Sequence, residues 1–129
     1  MDAAASSISP FTLYAGGLGV FPTVKKPRVL WSKVKGETQV LQNLSEMLET
    51  ELKLVGFDRE KKRFHPHLTI ARVKGKVAPH TMFELIDRFI SCESEEFSVY
   101  GINLFKSDLH SKGAVHTRLH TAEFPSAVE

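Results

Sequence analysis

Two polar side chains that can move a proton and hold an oxygen lie two positions apart in the middle of the chain, at His67 and Thr69. The surrounding residues predict a buried strand over 67–73, in which side chains two apart face the same side. An imidazole exchanges a proton near neutral pH, and a hydroxyl can hold an oxygen of the group under attack. The spacing therefore predicts half of a proton-transfer site for phosphate chemistry.

Two further side chains flank this pair. Arg72 supplies a permanent positive charge, but a regular strand turns it away from Thr69, so a surface ion pair and a phosphate contact are both open. His65 shares the face of His67, and we favour a structural neighbour because both imidazoles would approach phosphorus from the same side. For His67 itself the non-catalytic alternative is an imidazole bonded to a backbone carbonyl, with Thr69 present for its β-propensity.

Composition favours one globular domain. The chain has 129 residues, 42% apolar and 25% charged, and its net charge of +2 permits an anionic ligand without demanding one. Cys92 is the only cysteine, which excludes an internal disulfide, and no Cys/His spacing resembles a zinc site. The sequence has no apolar run near ~20 residues and no signal-peptide pattern at its start, so a cytoplasmic protein is the simplest interpretation.

Hydrophobic periodicity and turn residues predict seven regular elements. Strands are predicted over 11–21, 28–34, 67–73, 97–105 and 115–124, and helices over 38–55 and 79–89. The apolar stripes of the two helices are predicted to face the core, at Leu41, Leu44, Leu48, Leu52 and Val55 and at Met82, Leu85, Ile86 and Phe89. Gly56 is predicted to end the first helix, and the segment 111–113 predicts a hairpin.

The order β-β-α-β-α-β-β, with hairpins at both ends, predicts an α+β domain with a mainly antiparallel sheet and two helices. We expect this domain to occupy residues 11–124. A disordered tail is predicted over 1–10 and a short tail over 125–129.

Several other side chains allow both a structural and a functional interpretation. The glycines at 16, 17 and 19 favour a bulged strand over a phosphate loop, and Trp31 favours the core over stacking on a base. The cations at 25, 26 and 28 either steer RNA or lie in a solvated turn. One face of the last predicted strand carries His116, Arg118 and His120. This face either lines an anionic cleft or is an exposed polar surface, and we favour the exposed surface.

Several segments, in the right order, resemble one known family. Phe64 to Arg72 is similar to the second catalytic motif of the 2H phosphoesterases, in particular the RNA 2′,3′-cyclic phosphodiesterases, also called 2′-5′ RNA ligases. Residues 17–22 followed by 27–31 are typical of the middle of that family, and 97–107 of its penultimate strand. The likeness covers roughly residues 11–124.

The resemblance implies that His67 is the base that activates water and that Thr69 binds a phosphoryl oxygen. Arg72 is a weaker candidate for substrate binding. The implied reaction opens a 2′,3′-cyclic phosphate at an RNA end to a 2′-phosphate, and its reverse joins RNA ends in 2′-5′ linkage. The implied partners are RNA with cyclic phosphate ends or cyclic nucleotides, with no metal, nucleotide cofactor or membrane.

The chain departs from the family in one respect. Family members carry two H-x-T/S motifs, one in each lobe of a two-lobed fold, whereas this sequence holds only the second. We therefore expect the family's fold without its first strand, first helix and first catalytic strand, and impaired activity. A non-catalytic module that binds RNA ends or nucleotides is the alternative, and a homodimer in which two His67 strands face each other is a third.

Overall fold

The computed structural model describes residues 1–126, which form three helices and six strands. In chain order these are α1 (Asp2–Ser6), β1 (Phe11–Pro22), β2 (Pro27–Gly36), α2 (Thr38–Leu54), β3 (His67–Arg72), α3 (Pro79–Arg88), β4 (Phe97–Val99), β5 (Gly101–His110) and β6 (Gly113–Glu123). The β1–β2, β2–β3 and β5–β6 pairs are antiparallel. The predicted α+β class is confirmed.

Two elements differ from the pattern expected. Helix α1 lies where a frayed tail was predicted, and its Ala4 and Ala5 are buried; alanine has the highest helix propensity and packs closely. The predicted penultimate strand is divided at Tyr100 into β4 and β5. The domain limits at 11 and 124 stay a prediction, and residues 127–129 of the predicted C-terminal tail lie outside the described residues.

The contacts divide the chain into two compact units. The first comprises Met1–Phe11, Gln42–Lys62 and the described residues from Ser98 onward, and the second comprises Thr12–Leu41 and Arg63–Phe97. In the first, β5 and β6 form the predicted hairpin, with His110 paired to Gly113 across a two-residue turn.

A small apolar core holds the first unit together. Its buried side chains come from α1, α2 and β6, and Phe11 stacks on Phe124 with ring centroids 5.7 Å apart. Helix α2 contributes Leu44, which is 2% exposed, and ends at Leu54, one residue earlier than predicted, with the predicted stop glycine, Gly56, two residues further on. There the positive φ of +102° allows the Phe57 N–H to donate to the Leu52 carbonyl, a closure that glycine favours.

The predicted helix stripes are buried only in part. Leu44 and Met82 lie in the core, but Leu52 is 43% exposed, Val55 is 71% exposed and Phe89 is 39% exposed. The prediction of full burial is wrong at the C-terminal ends of both stripes. Helix α2 ends one residue before Val55, which therefore leaves the apolar face of the helix.

A four-stranded sheet has the order β3-β2-β1-β4. The predicted irregularity of the first strand is confirmed, because the β1–β2 register shifts between Gly16 and Leu18. Gly17 is the extra residue, and its N–H donates to the Cys92 carbonyl at 3.1 Å.

In the part of the chain that the structure describes, strand β3 lies at the edge of this sheet and has β2 as its one neighbour. All six of its residues are exposed, so the prediction of a buried strand is wrong. An edge strand is covered on one side only, and alternation in sequence does not reveal this position. The exposure has a functional consequence, because it leaves the predicted catalytic side chains open to solvent.

Candidate functional site

One face of the sheet carries both predicted catalytic side chains. In the antiparallel β2–β3 register Lys33 lies opposite His67, and Trp31 lies opposite Thr69. Directly opposed residues of antiparallel strands project to the same side. We call this side the His67 face. The structure therefore brings His67 and Thr69 together as predicted, with two β2 side chains beside them.

An aromatic cluster supports the imidazole of His67. The rings of Phe21 and Trp31 stack with centroids 4.8 Å apart, and the His67 ring meets Phe21 edge-on at 5.2 Å. His65 meets Trp31 edge-on at 4.8 Å. Gly19 lies opposite Trp31 and makes room for it, since a Cβ there would be 2.3 Å from Trp31 Cζ2. These ring contacts restrict the orientations open to the imidazole.

A backbone hydrogen bond assigns the protons of His67. Its Nδ1 lies 2.7 Å from the carbonyl oxygen of His65. A carbonyl oxygen only accepts, so Nδ1 carries the hydrogen and donates it. In the neutral ring the lone pair is then on Nε2. The arrangement leaves Nε2 free to take a proton from water.

Thr69 lies two residues further along β3 and is exposed. Its hydroxyl makes no hydrogen bond to another residue in the described part of the chain. A hydroxyl with an unused donor on the same face as the imidazole can hold an anionic oxygen. This is the role that the sequence resemblance implies for it.

Arg72 is carried to the His67 face by a β-bulge. The register pairs Trp31 with Thr69 and Leu30 with Ala71, which leaves Ile70 as an extra residue, and Val29 is paired with Arg72. One extra residue reverses the alternation of the side chains that follow it. The expectation that Arg72 faces away from Thr69 is therefore wrong. Its guanidinium makes no ion pair with any of residues 1–126.

Lys33 is a site residue that sequence reasoning missed. It lies directly opposite His67 and is exposed, and its ammonium group has no ion pair among the described side chains. The aliphatic part of its side chain passes Gly17, where a Cβ would be 3.7 Å from Lys33 Cδ. The sequence shows which side chains of strand 28–34 share a face. It does not show the register between the two strands, which places Lys33 opposite His67.

Open space adjoins the imidazole. A cavity of about 310 Å³ lies beside the start of β3 and has His65 and His67 in its otherwise apolar lining. A larger cavity of about 580 Å³ is lined by the opposite side chains of the sheet, including Leu30, Leu68 and Ile70, and by residues of α3 and the loop after it. His67 is exposed, so its ring is not packed under other side chains, and the smaller cavity adjoins it.

The remaining alternatives resolve toward structural roles. Trp31 is 6% exposed and belongs to the core, which confirms that interpretation.

The hairpin of β5 and β6 contains a bulge, in which Leu119 is an extra residue. Before it along the register, His116 and Arg118 lie opposite Ser107 and Phe105. His120 lies opposite Leu104 and therefore projects to the other face. The prediction that His116, Arg118 and His120 share one face is wrong.

His120 has a partner within its own unit. Its Nε2 lies 2.7 Å from Asp2 Oδ1, and this hydrogen bond lowers the pKa of the Asp2 carboxyl. Among residues 1–126, no group of three or more histidine, cysteine or acidic side chains is placed to hold a metal ion. Nor does any helix in that range have the length and apolar content needed to cross a bilayer.

Comparison with known proteins points to one family. A family model described as the 2′-5′ RNA ligase superfamily matches residues 1–111. The crystal structure of TT0787 of Thermus thermophilus superposes with a TM-score of 0.69 at 26% sequence identity, covering 98% of this chain and 67% of that one.

Two relatives bear the name RNA 2′,3′-cyclic phosphodiesterase. The protein from Aeropyrum pernix is 32% identical over 117 residues, and the protein from Aquifex aeolicus is 38% identical over 109 residues. These matches cover 91% and 84% of this chain. They span 66% and 57% of the relatives' own lengths.

Proposed function

Because the chain belongs to the 2′-5′ RNA ligase superfamily, we propose that it hydrolyses 2′,3′-cyclic phosphates at RNA ends to 2′-phosphates. The relatives named for this activity are 32% and 38% identical to it. The same site would join RNA ends in 2′-5′ linkage in the reverse direction. The observation that carries the proposal is that His67, Thr69 and Arg72 share one exposed face of β3. The Nδ1 bond to the His65 carbonyl, which a purely structural histidine would also make, leaves Nε2 without a partner on that face.

His67 acts as the base in this proposal. Water gives a proton to Nε2 as its oxygen forms a bond to phosphorus, and the bond from phosphorus to the 3′ oxygen breaks. A positioned base of this kind contributes roughly 10²–10⁴ in rate. The edge-on contacts of His67 with Phe21 and Trp31 would keep Nε2 aimed at the water.

Three groups on the same face would hold the phosphoryl oxygens. The Thr69 hydroxyl donates one hydrogen bond, and the charges of Lys33 and Arg72 lie on either side of the His67–Thr69 pair. Charge that develops on phosphoryl oxygens in the transition state is stabilised by such preorganised donors.

The departing 3′ oxygen must gain a proton, and this requirement limits the rate. Within residues 1–126, His65 is the one imidazole in ring contact with His67, at 6.2 Å between centroids. His65 lies at the same end of β3, so it would approach phosphorus from the side of the base. We propose that the chain by itself turns over slowly, by about 10²–10⁴ relative to a site with a second imidazole on the far side.

The alternative function is a module that binds RNA ends without turnover. The same observation supports it, because a single base beside three anion-binding groups is sufficient to bind a terminal phosphate. Binding and hydrolysis are separated by measuring both on one preparation.

The test compares wild type, His67→Ala and a matched variant, His80→Ala, with an oligoribonucleotide that ends in a 2′,3′-cyclic phosphate. His80 is an exposed histidine in α3, outside the His67 face. The proposal expects a 2′-phosphate product, a large loss of rate in His67→Ala and an unchanged rate in His80→Ala. Equal turnover by all three proteins, or a 3′-phosphate product, overturns it.

When no turnover is seen, binding decides between the two functions. Affinity for a 2′-phosphorylated oligoribonucleotide that falls in His67→Ala and not in His80→Ala supports the binding module. Equal affinity in all three proteins overturns that alternative as well.

A further inference from the structure

Six basic side chains gather at one end of the β2–β3 pair. They come from two short segments, residues 22–29 and 70–77, and are Lys25, Lys26, Arg28, Arg72, Lys74 and Lys76. All six are exposed. We call this cluster the basic end.

Backbone hydrogen bonds hold the two segments together. The Val73 N–H donates to the Arg28 carbonyl at 2.8 Å, which extends the pairing of Val29 with Arg72 beyond β3. The turn between β1 and β2 is closed by the Lys26 N–H, which donates to Thr23 Oγ1 at 3.1 Å. Residues about 45 positions apart in the sequence, Arg28 and Val73, are thus held side by side in the second unit, and the lysines at 25, 26, 74 and 76 lie close to them along the chain.

The positive charge of the basic end is not neutralised. Neither segment contains an acidic residue. In the described part of the chain, none of the six side chains forms an ion pair, whereas Lys35, Arg59 and Lys106 pair with Glu93, Glu46 and Asp108. Exposed positive charges that are not paired with carboxylates raise the local potential and attract a polyanion.

The basic end continues the line of the candidate site. Strand β3 carries His67 and Thr69, then Arg72 on the same face, and the chain proceeds to Lys74 and Lys76. Lys76 lies nine positions after His67, so the line extends at most about 30 Å. A cyclic mononucleotide has one phosphate and reaches only the first part of this line. A chain of nucleotides reaches the rest.

We infer that the basic end binds the phosphates of single-stranded RNA upstream of its cyclic phosphate terminus. The preferred substrate is then an oligoribonucleotide and not a cyclic mononucleotide. This inference rests on the proposed function, because it places the RNA terminus at His67. It adds the direction in which the RNA runs, from the His67–Thr69 pair past Arg72 toward the lysines at 74 and 76.

The experiment removes four of the six positive charges of the basic end and leaves the side chains of the His67 face unchanged. One variant carries Lys25→Gln, Lys26→Gln, Lys74→Gln and Lys76→Gln. The control variant carries Lys53→Gln, Lys61→Gln, Lys106→Gln and Lys112→Gln, which removes the same charge from exposed positions of the first unit. Binding of 2′-phosphorylated RNA is measured by fluorescence anisotropy for a mononucleotide and for an oligomer of about eight nucleotides.

Counterion release sets the expected size of the effect. Each phosphate contact on a single strand contributes a slope of about −0.7 to log K against log salt, or about fourfold in affinity at 0.15 M salt relative to 1 M. Loss of two or more contacts therefore weakens oligomer binding by at least about tenfold and flattens the slope by about 1.4. The control variant retains the wild-type slope, and mononucleotide binding is the same in all three proteins.

Each outcome has one meaning. If both variants lose the same amount of oligomer affinity and show the same flattening of log K against log salt, the inference is overturned, because the effect is then one of net charge. No change in the basic-end variant overturns it too. If His67→Ala leaves turnover intact while the basic-end variant still loses oligomer binding, the proposed function fails and the RNA surface stands.

Discussion

Replacing Gly19 with alanine places a methyl group under the ring of Trp31. The new Cβ would lie 2.3 Å from Cζ2 and 2.4 Å from Cη2, whereas carbon atoms in contact are about 3.5–4.0 Å apart. The ring must therefore move by about 1 Å or more. Because Trp31 is 6% exposed and stacked on Phe21, a shift of its ring disturbs the side chains packed around it.

The cost follows from these contacts. Overpacking a filled site destabilises by about 1–3 kcal/mol, and loss of an aromatic stack adds about 0.5–1.5 kcal/mol. We expect Gly19→Ala to lower the free energy of unfolding by about 2–4 kcal/mol. The same movement displaces the ring surface on which His67 rests, so activity should fall by more than the unfolded fraction accounts for.

Urea denaturation followed by tryptophan fluorescence measures this directly, since Trp31 is the only tryptophan. Gly16→Ala is the matched control on the same strand, because its Cβ would meet the flexible Glu93 side chain, with Cγ at 3.1 Å. We expect it to change stability by less than about 1 kcal/mol. In a Trp31→Leu background, where no tryptophan remains and unfolding is followed by circular dichroism, the cost of Gly19→Ala should shrink by about 0.5–3 kcal/mol.

A Gly19→Ala protein that unfolds at the wild-type urea concentration, with an unchanged emission spectrum, refutes the predicted clash. Equal destabilisation of the two glycine variants refutes it as well, because a general strand effect would then explain both.

Two further predictions concern single polar groups. Thr69→Val should weaken binding of a 2′-phosphorylated nucleotide by about tenfold or more, the value of one hydrogen bond to a charged group. Its urea midpoint should not change, because the hydroxyl has no partner among residues 1–126 and β-propensity is kept; Thr69→Ser should retain affinity, and a Val variant that binds normally would exclude Thr69 from the site. The second concerns Asp2, whose carboxyl pKa is lowered by its hydrogen bond to His120. A depressed folded-state pKa stabilises the protein above the ordinary value of 3.8, and this stabilisation is lost as pH falls through the folded value. The stability difference between wild type and Asp2→Asn should therefore be present at neutral pH and disappear in acid, and a difference that persists at low pH would contradict the assignment.

Local sequence signals predicted the elements that depend on neighbours in the chain. Alternation located β1, β2 and β3, the glycine at 56 located the end of α2, and the segment 111–113 located the hairpin. Each signal reflects a backbone preference or a period that acts within a few residues. The α+β class followed from their order.

The errors about side-chain direction have one cause. Arg72 was assigned to the wrong face of β3, and His120 to the wrong face of β6. In both strands one extra residue, Ile70 or Leu119, precedes the misassigned side chain and reverses the alternation. A bulge depends on the register with the neighbouring strand, and sequence alternation carries no record of that register.

Burial was the other property that the sequence did not reveal. Leu68 and Ile70 alternate as core residues do, yet they are 46% and 56% exposed, because β3 has one neighbouring strand. Lys33 could be assigned to the site only from the strand pairing that places it opposite His67. The identities of the reacting groups could be predicted from the sequence, but their surroundings required the sheet.

Strand β3 presents chemistry on one side and an apolar lining on the other. His67 and Thr69 project to the open face, while Leu68 and Ile70 line the cavity of about 580 Å³ behind it. Both sets of side chains belong to the same six-residue strand. A molecule that filled the rear space would therefore press on the same backbone that positions the imidazole in front.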